Sequence, residues 1–273
     1  MSDPLLSPDS PEIAPDAVRA DDAETTVARA GLPAVEPSAL RSVGAHLRFW
    51  IVVVLGLTID LWSKEWAFQT LRQGGRRVLI PDVLEFQTTL NPGALFGIGA
   101  GHTEIFLIAS VLALVLVLWM FAQSSPRQRI MQIALGALLA GALGNMYDRV
   151  FVKLVRSSSR TASGVVVPLY FQQVPSSSPD MIRLSEYPPG DDAEIRTLPR
   201  GDEARLGPIV GYVRDFIKIP TRWFGQREIW PWVFNVADML LVGGVAILAI
   251  RLFFERGPRP ATKTDLDATP PSS

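Results

Sequence analysis

The chain has 273 residues, of which 48% are hydrophobic and only 19% are charged. A soluble domain carries about 25% charged residues on average, so this composition argues against a soluble globular enzyme. The net charge of −1 excludes the basic surface typical of a nucleic-acid-binding protein. The absence of cysteine excludes disulfides, zinc–thiolate sites, iron–sulfur clusters and a thiol nucleophile. Two histidines are too few for a His-rich metal site, so we expect neither metal nor cofactor.

Both ends of the chain have the composition of disordered segments. Residues 1–45 contain eight acidic residues and six prolines, without sustained apolar periodicity. Residues 255–273 are rich in Pro, Ser and Thr. We therefore predict two disordered tails, at 1–45 and 255–273, on either side of a folded domain at 46–254.

The folded domain contains four predicted membrane spans, at about 47–69, 104–123, 130–150 and 232–254. Ile105–Ala122 and Ile130–Tyr147 each run for 18 residues without a charged side chain, close to the length of about 20 residues that a spanning helix needs. The short, polar link between these two segments favours membrane helices over a pair of buried core helices. The first and fourth spans are interrupted by polar residues, which must then face the protein interior or an interface.

Basic residues in the flanks of the spans predict the orientation. Eight lie on the side that carries both termini, against three in the loop 70–103, which predicts cytoplasmic termini. The first span follows an acidic tail, so we expect an uncleaved anchor rather than a signal peptide. Two extracytoplasmic segments remain. Residues 70–103 contain β-like pieces, which predict a small sheet at the membrane surface, and 151–231 is polar with β-favouring runs at Val165–Phe171 and Ile209–Val213.

Three clusters of polar residues fall at the outer ends of the predicted spans. Asp60 and Lys64 are four residues apart, so they share one face of a helix. The other two clusters are Asn145 with Asp148 and Arg149, and Asn235 with Asp238. Ionisable groups inside a span indicate function by default, and three clusters on one side favour a site over interfacial anchoring.

Because the chain has no cysteine and only two histidines, carboxyl groups are the remaining candidates for acid/base chemistry. Two neighbouring carboxyl groups share one proton, so one can activate water while the other protonates the substrate. Asp238 is the natural first member of such a pair. Spacing alone leaves the second member open among Asp60, Asp148 and Asp215.

Five stretches of the sequence together resemble the lipoprotein signal peptidases, also called signal peptidase II. They are Asp60–Lys64 (DLWSK), Asn91–Phe96 (NPGALF), Gly141–Arg149 (GALGNMYDR), Gly211–Phe216 (GYVRDF) and Phe234–Asp238 (FNVAD). The resemblance implies a membrane all-α fold, a four-transmembrane-helix bundle with a small extracytoplasmic β-sheet (β-cradle-like). It also implies an aspartic endopeptidase, without cofactor, that removes the signal peptide from prolipoproteins by cutting before a diacylglyceryl-modified cysteine.

The resemblance assigns a role to each polar residue. The catalytic pair would be Asp215 and Asp238, and Asp148 would support the site. The residues expected to line the substrate pocket are Asn91, Asn145, Arg149 and Asn235, with Asp60 and Lys64 near its mouth. The implied location is the inner membrane of a bacterium, and the implied partners are lipid-modified prolipoproteins and membrane lipids, with no nucleic acid. The oligomeric state stays open, a monomer being one option.

About 60 residues between Arg149 and Gly211 depart from the family, whose members have only a few there. We interpret the polar extracytoplasmic insertion at about 151–210 chiefly as a tolerated surface loop, because the entropy of loop closure grows slowly with length. Two rival functions remain. An inactive homologue would bind lipidated proteins without cutting them, and a small transporter would use Asp60, Lys64 and Asp238 as a relay.

Overall fold

The computed structural model describes residues 38–93, 103–160, 164–202, 206–223 and 227–255. Most of both predicted tails lies outside these ranges. The N-terminal tail was predicted to extend to residue 45, but Ala39–Arg41 forms a 3-10 turn and the first helix begins at Val43. The backbone N–H of Ala39 donates a hydrogen bond to the carbonyl of Ser124 at 2.8 Å. Residues 38–45 therefore belong to the folded domain.

The described residues contain four α-helices. They are α1 (Val43–Leu71), α2 (Thr103–Gln123), α3 (Arg129–Phe151) and α4 (Val236–Glu255). Three of them, α1, α3 and α4, are long and apolar enough to cross a membrane, whereas α2 contributes a shorter apolar stretch at Leu107–Gln123.

Helix α3 lies at the centre of the bundle, where it packs against α1, α2 and α4. The rings of Phe49 and Phe121 stack with their centroids 4.3 Å apart, next to the buried Leu135 and Leu139. The outward helix faces expose large apolar side chains along their length, as helices surrounded by lipid do.

A four-stranded antiparallel sheet follows the helix ends that carry the polar clusters. Its strands are β1 (Arg76–Ile80), β2 (Leu84–Asn91), β8 (Val213–Lys218) and β11 (Val233–Phe234), in the order β1-β2-β8-β11. The β-like pieces predicted in 70–103 form β1 and β2. Strand β11 occupies residues that were predicted to start the fourth span. The helix α4 begins only after Asn235, whose side chain caps it.

The insertion is a folded five-stranded antiparallel sheet, where the sequence predicted mainly a surface loop. Its strands are β3 (Lys153–Arg160), β4 (Val166–Val174), β5 (Met181–Glu186), β6 (Ile195–Pro199) and β7 (Ile209–Gly211), in the order β6-β5-β4-β3-β7. Phe171, Ile182 and Leu184 form a small core of their own. A two-stranded pair, β9 (Arg222–Trp223) and β10 (Arg227–Glu228), follows β8.

The insertion sheet is attached directly to the sheet at the helix ends. A single residue, the buried Tyr212, separates β7 from β8. An apolar cluster joins α1, both sheets and the end of α3; its members are Phe68, Leu90, Val152, Leu154, Tyr170, Tyr187 and Tyr212. The position of β8 is therefore tied to the packing of the insertion.

Candidate active site

Strand β8 presents Arg214 and Asp215 to opposite sides, because successive side chains of a strand alternate in direction. Thr89 of β2 pairs with Asp215, and Asn91 pairs with Val213. Asn91 is thus a diagonal neighbour of Asp215 on the same face of the sheet. Its Nδ2 donates a hydrogen bond to Oδ2 of Asp215 at 3.1 Å.

Asp238 stands in the first turn of α4 and forms a capping box with Asn235. Oδ1 of Asn235 accepts a hydrogen bond from the backbone N–H of Asp238 at 3.0 Å, and Oδ2 of Asp238 accepts one from the backbone N–H of Asn235 at 3.2 Å. Such reciprocal bonds satisfy N–H groups that a helix start leaves unpaired. The carboxyl group also lies at the positive end of the helix dipole.

Two asparagines connect Asp215 to Asp238. Nδ2 of Asn235 donates to Oδ1 of Asp215 at 2.7 Å, so Asn235 contacts both carboxyl groups. Nδ2 of Asn145 donates to Oδ1 of Asp238 at 2.8 Å, and Oδ1 of Asn145 accepts from Asn235 at 3.1 Å. The two aspartates are therefore held by one hydrogen-bonded unit whose members come from β8, α3 and the start of α4.

A buried ionic network lies behind this unit. Nζ of Lys64 donates to Oδ2 of Asp60 at 2.8 Å and to Oδ1 of Asn145 at 3.1 Å, and lies 3.3 Å from Oδ2 of Asp148. The side chains of Asp60, Lys64 and Asp148 are all fully buried. Oδ1 of Asp60 accepts from the backbone N–H of Ala237 at 2.8 Å. Asp60 and Lys64 are thus inside the protein, not at the mouth of the pocket as the resemblance implied.

Arg214 is a member of this network that the sequence analysis missed. Its Nε and Nη2 donate to Oδ1 of Asp148 at 3.0 and 2.8 Å, and its Nη1 donates to Glu65 at 2.7 Å. The alternation of β8 could have indicated that Arg214 faces away from Asp215, towards the helices. Tyr187 of the insertion lies beside this guanidinium. Burial raises the pKa of Tyr187 to about 12, while the neighbouring Arg214 acts in the opposite direction.

Arg149 holds the segment that follows β2. Its Nη2 donates to the carbonyl of Gly93 at 2.9 Å, and its Nη1 to the carbonyl of Asn145 at 3.1 Å. The backbone N–H of Gly93 in turn donates to Oδ1 of Asn91 at 2.9 Å. The remainder of the Asn91–Phe96 stretch, from residue 94 onwards, lies outside the described residues.

A cavity of about 260 Å³ opens between the helices and the sheet. Both Asp215 and Asp238 line it, together with Asn91, Asn145 and Arg149. Its walls also include aromatic residues near the start of α4, at Trp230, Trp232 and Phe234. The other predicted site residues do not line this cavity and belong to the hydrogen-bonded and ionic network beside it; they are Asn235, Asp60, Lys64 and Asp148.

The two carboxyl groups differ in their surroundings. Asp215 is 2% exposed, whereas Asp238 is only partly buried. Burial, followed by repulsion from Asp238, raises the pKa of Asp215 well above the usual range of a carboxyl group. This shift favours the protonated form of Asp215. Both carboxyl groups face the same cavity.

Gly144 of α3 lets Asp60 of α1 and Ala237 of α4 pack closely against the helix. A Cβ atom at Gly144 would overlap the Asp60 carboxylate and lie 3.3 Å from Cβ of Ala237, whereas a Cβ at Gly243 of α4 would meet open space. We expect Gly144→Ala to lower the free energy of unfolding by about 2 kcal/mol. Gly243→Ala is a matched control, expected to leave stability unchanged or to raise it by up to about 1 kcal/mol. Thermal unfolding in detergent measures both, and equal stability of the two variants would contradict this packing.

Residues 52–254 match the family model for signal peptidase (SPase) II. The chain belongs to the signal peptidase II family. The match contains all nine predicted site residues and the insertion.

Two relatives illustrate the range of similarity. The lipoprotein signal peptidase of Clostridium novyi is 33% identical over 105 residues, which is 38% of this chain and 71% of the relative. The lipoprotein signal peptidase of Desulfitobacterium hafniense is 26% identical over 209 residues, which is 74% of this chain and 95% of the relative. A solved bacterial membrane enzyme is similar in fold, with a TM-score of 0.53 and 21% identity over 84% of this chain and 98% of that one.

Proposed function

We propose that this signal peptidase II is an aspartic endopeptidase that removes the signal peptide from prolipoproteins. It would cut on the amino side of a diacylglyceryl-modified cysteine. The observation that carries this proposal is the pair Asp215 and Asp238, which face one cavity and are bridged by Asn235. Burial favours a proton on Asp215, and hydrolysis by two carboxyl groups requires one protonated member beside an ionised one.

In the proposed reaction, Asp238 takes a proton from water as the water oxygen attacks the scissile carbonyl carbon. Asp215 donates its proton to the carbonyl oxygen, which gives a neutral tetrahedral diol. As this diol collapses, the C–N bond breaks and the leaving amine takes the proton that Asp238 had received. The departing hydroxyl proton returns to Asp215, so both carboxyl groups regain their initial states.

The surrounding polar residues would bind the substrate and hold the pair. Asn91, Asn145 and Arg149 line the cavity, where their N–H groups could donate to substrate carbonyls. Arg149 also fixes the backbone at Gly93. Lys64, Asp60 and Asp148 would set the position of Asn145, which contacts Asp238.

We further propose that all four helices span the inner membrane of a bacterium, with both termini in the cytoplasm. Both sheets, including the insertion, would then lie outside it. The excess of basic residues at the end that holds the termini supports this orientation. The cavity would open near the outer leaflet, where the lipid chains of the substrate can stay in the bilayer. The membrane partners would be the prolipoproteins and surrounding lipids.

The test is a gel-shift assay with the purified protein in detergent and a diacylglyceryl-modified prolipoprotein, beside the same prolipoprotein without lipid. Cleavage of the lipidated form alone is the expected result. A folded protein that binds the lipidated form without cutting it would instead be an inactive homologue. Cleavage of both forms at equal rates would contradict the proposed requirement for lipid.

The raised pKa of Asp215 predicts the pH dependence. Above that pKa the pair loses its shared proton, so kcat/KM is expected to fall as the pH rises through it. The hydrogen bond from Asn91 lowers the pKa of Asp215. Asn91→Ala should therefore move the alkaline fall to higher pH, by up to about one pH unit. A pH–rate profile measures this, and a shift to lower pH would contradict the assignment of Asp215 as proton donor.

A further inference from the structure

A second cavity, of about 640 Å³, lies between the start of α3 and the end of α4. Helix α3 contributes Arg129 to this cavity and Asn145 to the hydrogen-bonded unit that holds Asp215 and Asp238. With a helix rise of about 1.5 Å per residue, these two positions are roughly 24 Å apart. The cavity is therefore at the opposite end of the bundle from Asp215 and Asp238. We call it the arginine groove.

The arginine groove combines two kinds of surface. Ile130, Ile247 and Ile250 form its apolar part, with exposed fractions of 63%, 36% and 57%. Arg127, Arg129 and Arg251 form its charged part. The isoleucines belong to the outward faces of α3 and α4, so the groove opens sideways to the surrounding lipid. A ligand with one anionic end and one apolar end would match both surfaces.

The three arginines give the groove a positive charge, because no acidic residue is among the described side chains that line it. Helix α3 begins there without a side-chain cap and without an acidic residue in its first turn. The partial positive charge of the helix start adds to the charge of Arg127 and Arg129. An anion in the groove would reduce the repulsion among these groups.

The preference for basic residues in cytoplasmic flanks accounts for the number of arginines at this end, but not for their meeting in one groove. Arg48 lies near the same end of the bundle but does not line the groove: its Nε donates to Oε1 of Gln132 at 2.8 Å and its Nη2 to the carbonyl of Pro126 at 3.0 Å. Arg127, Arg129 and Arg251 line the groove beside its three isoleucines. Arginine suits phosphate, to which it donates two parallel hydrogen bonds.

We propose that the arginine groove binds an anionic phospholipid, with its phosphate among Arg127, Arg129 and Arg251 and an acyl chain along the isoleucines. In the orientation proposed above, this lipid belongs to the cytoplasmic leaflet. Basic pockets between membrane helices on that side recognise acidic head groups. The site is separate from the catalytic cavity, so lipid binding can be measured whether or not the protein cuts prolipoproteins.

The test titrates the purified full chain in detergent with short-chain phosphatidylglycerol and, separately, with short-chain phosphatidylcholine. We expect phosphatidylglycerol to bind at least about tenfold more tightly. The triple variant Arg127→Gln, Arg129→Gln, Arg251→Gln should lose this preference. Its matched control removes the same charge at exposed arginines outside the groove, Arg41→Gln, Arg77→Gln and Arg160→Gln, and should keep the preference.

Two further measurements distinguish lipid binding in the arginine groove from binding of a free anion. Inorganic phosphate is expected to compete weakly, because it makes no contact with the isoleucines. Ile247→Asn should weaken the binding of the lipid without changing that of phosphate, and thermal unfolding shows that each variant is folded. Equal losses in the two triple variants, or phosphate binding as tightly as the lipid, would overturn the proposal.

Discussion

Replacing either Asp215 or Asp238 by asparagine is expected to lower the rate of prolipoprotein cleavage by about 10³-fold or more. Asparagine has nearly the shape of aspartate, so each variant preserves the volume of the site. It can neither take a proton from water nor donate one to the scissile carbonyl at the working pH. Both carboxyl groups line the same cavity and contact Asn235, so loss of either should stop the reaction.

The gel-shift assay with lipidated prolipoprotein measures this effect. Asp82→Asn is the matched control, because Asp82 lies in the turn between β1 and β2, away from the cavity, and is exposed. Its backbone has a φ of 59°, a conformation that asparagine adopts readily. Cleavage by Asp215→Asn at the rate of the control would show that the second carboxyl group is a different residue, with Asp148 the first to examine.

Lys64→Met is expected to lower the free energy of unfolding by about 3–5 kcal/mol and to remove activity. The ammonium group of Lys64 lies between the carboxylates of Asp60 and Asp148, all fully buried. Removing it leaves the two buried carboxyl groups close together without the ammonium group that contacts both. It also removes the hydrogen bond that orients Asn145 towards Asp238.

Two variants show whether the lost charge is the cause. Adding Asp60→Asn to Lys64→Met should recover part of the stability, because one uncompensated charge is then removed. Lys153→Met replaces an exposed lysine at the start of β3 and is expected to change the stability little. Thermal unfolding and equilibrium unfolding in detergent measure these differences. A Lys64→Met protein as stable as the Lys153→Met protein would contradict the role given to the ionic network.

The insertion shows how far a sequence pattern can be interpreted. The β-favouring runs at Val165–Phe171 and Ile209–Val213 were evident from residue types, and they fall on β4 and on β7 and β8. The packing of Tyr187 and Tyr212 against Phe68 was not evident, because these contacts join residues far apart in the chain. The connection of the insertion to the strand of Asp215 follows from strand pairing, which local composition does not report.

Arg214 and Asp60 illustrate the same difference within the site. Arg214 stands in a stretch that resembled the family, but its pairing with Asp148 depends on how β8 lies against α3. Asp60 and Lys64 were correctly placed on one helix face. Their predicted position near the mouth of the pocket was wrong, because both are buried. Their burial depends on the start of α4, where the N–H of Ala237 donates a hydrogen bond to the Asp60 carboxylate.

The amino-acid sequence by itself determined the apolar helices, the polar residues within them and the resemblance to signal peptidase II. These features are local, since they depend on hydropathy, residue spacing and short motifs. From the residues alone, the partner of Asp238 stayed open among three aspartates. The tertiary structure shows how their surroundings differ: Asp60 and Asp148 are engaged by Lys64, Ala237 and Arg214, while Asp215 lines the cavity together with Asp238. That outcome depends on strand register and helix packing across about 60 inserted residues, and such long-range contacts have no local signature in the chain.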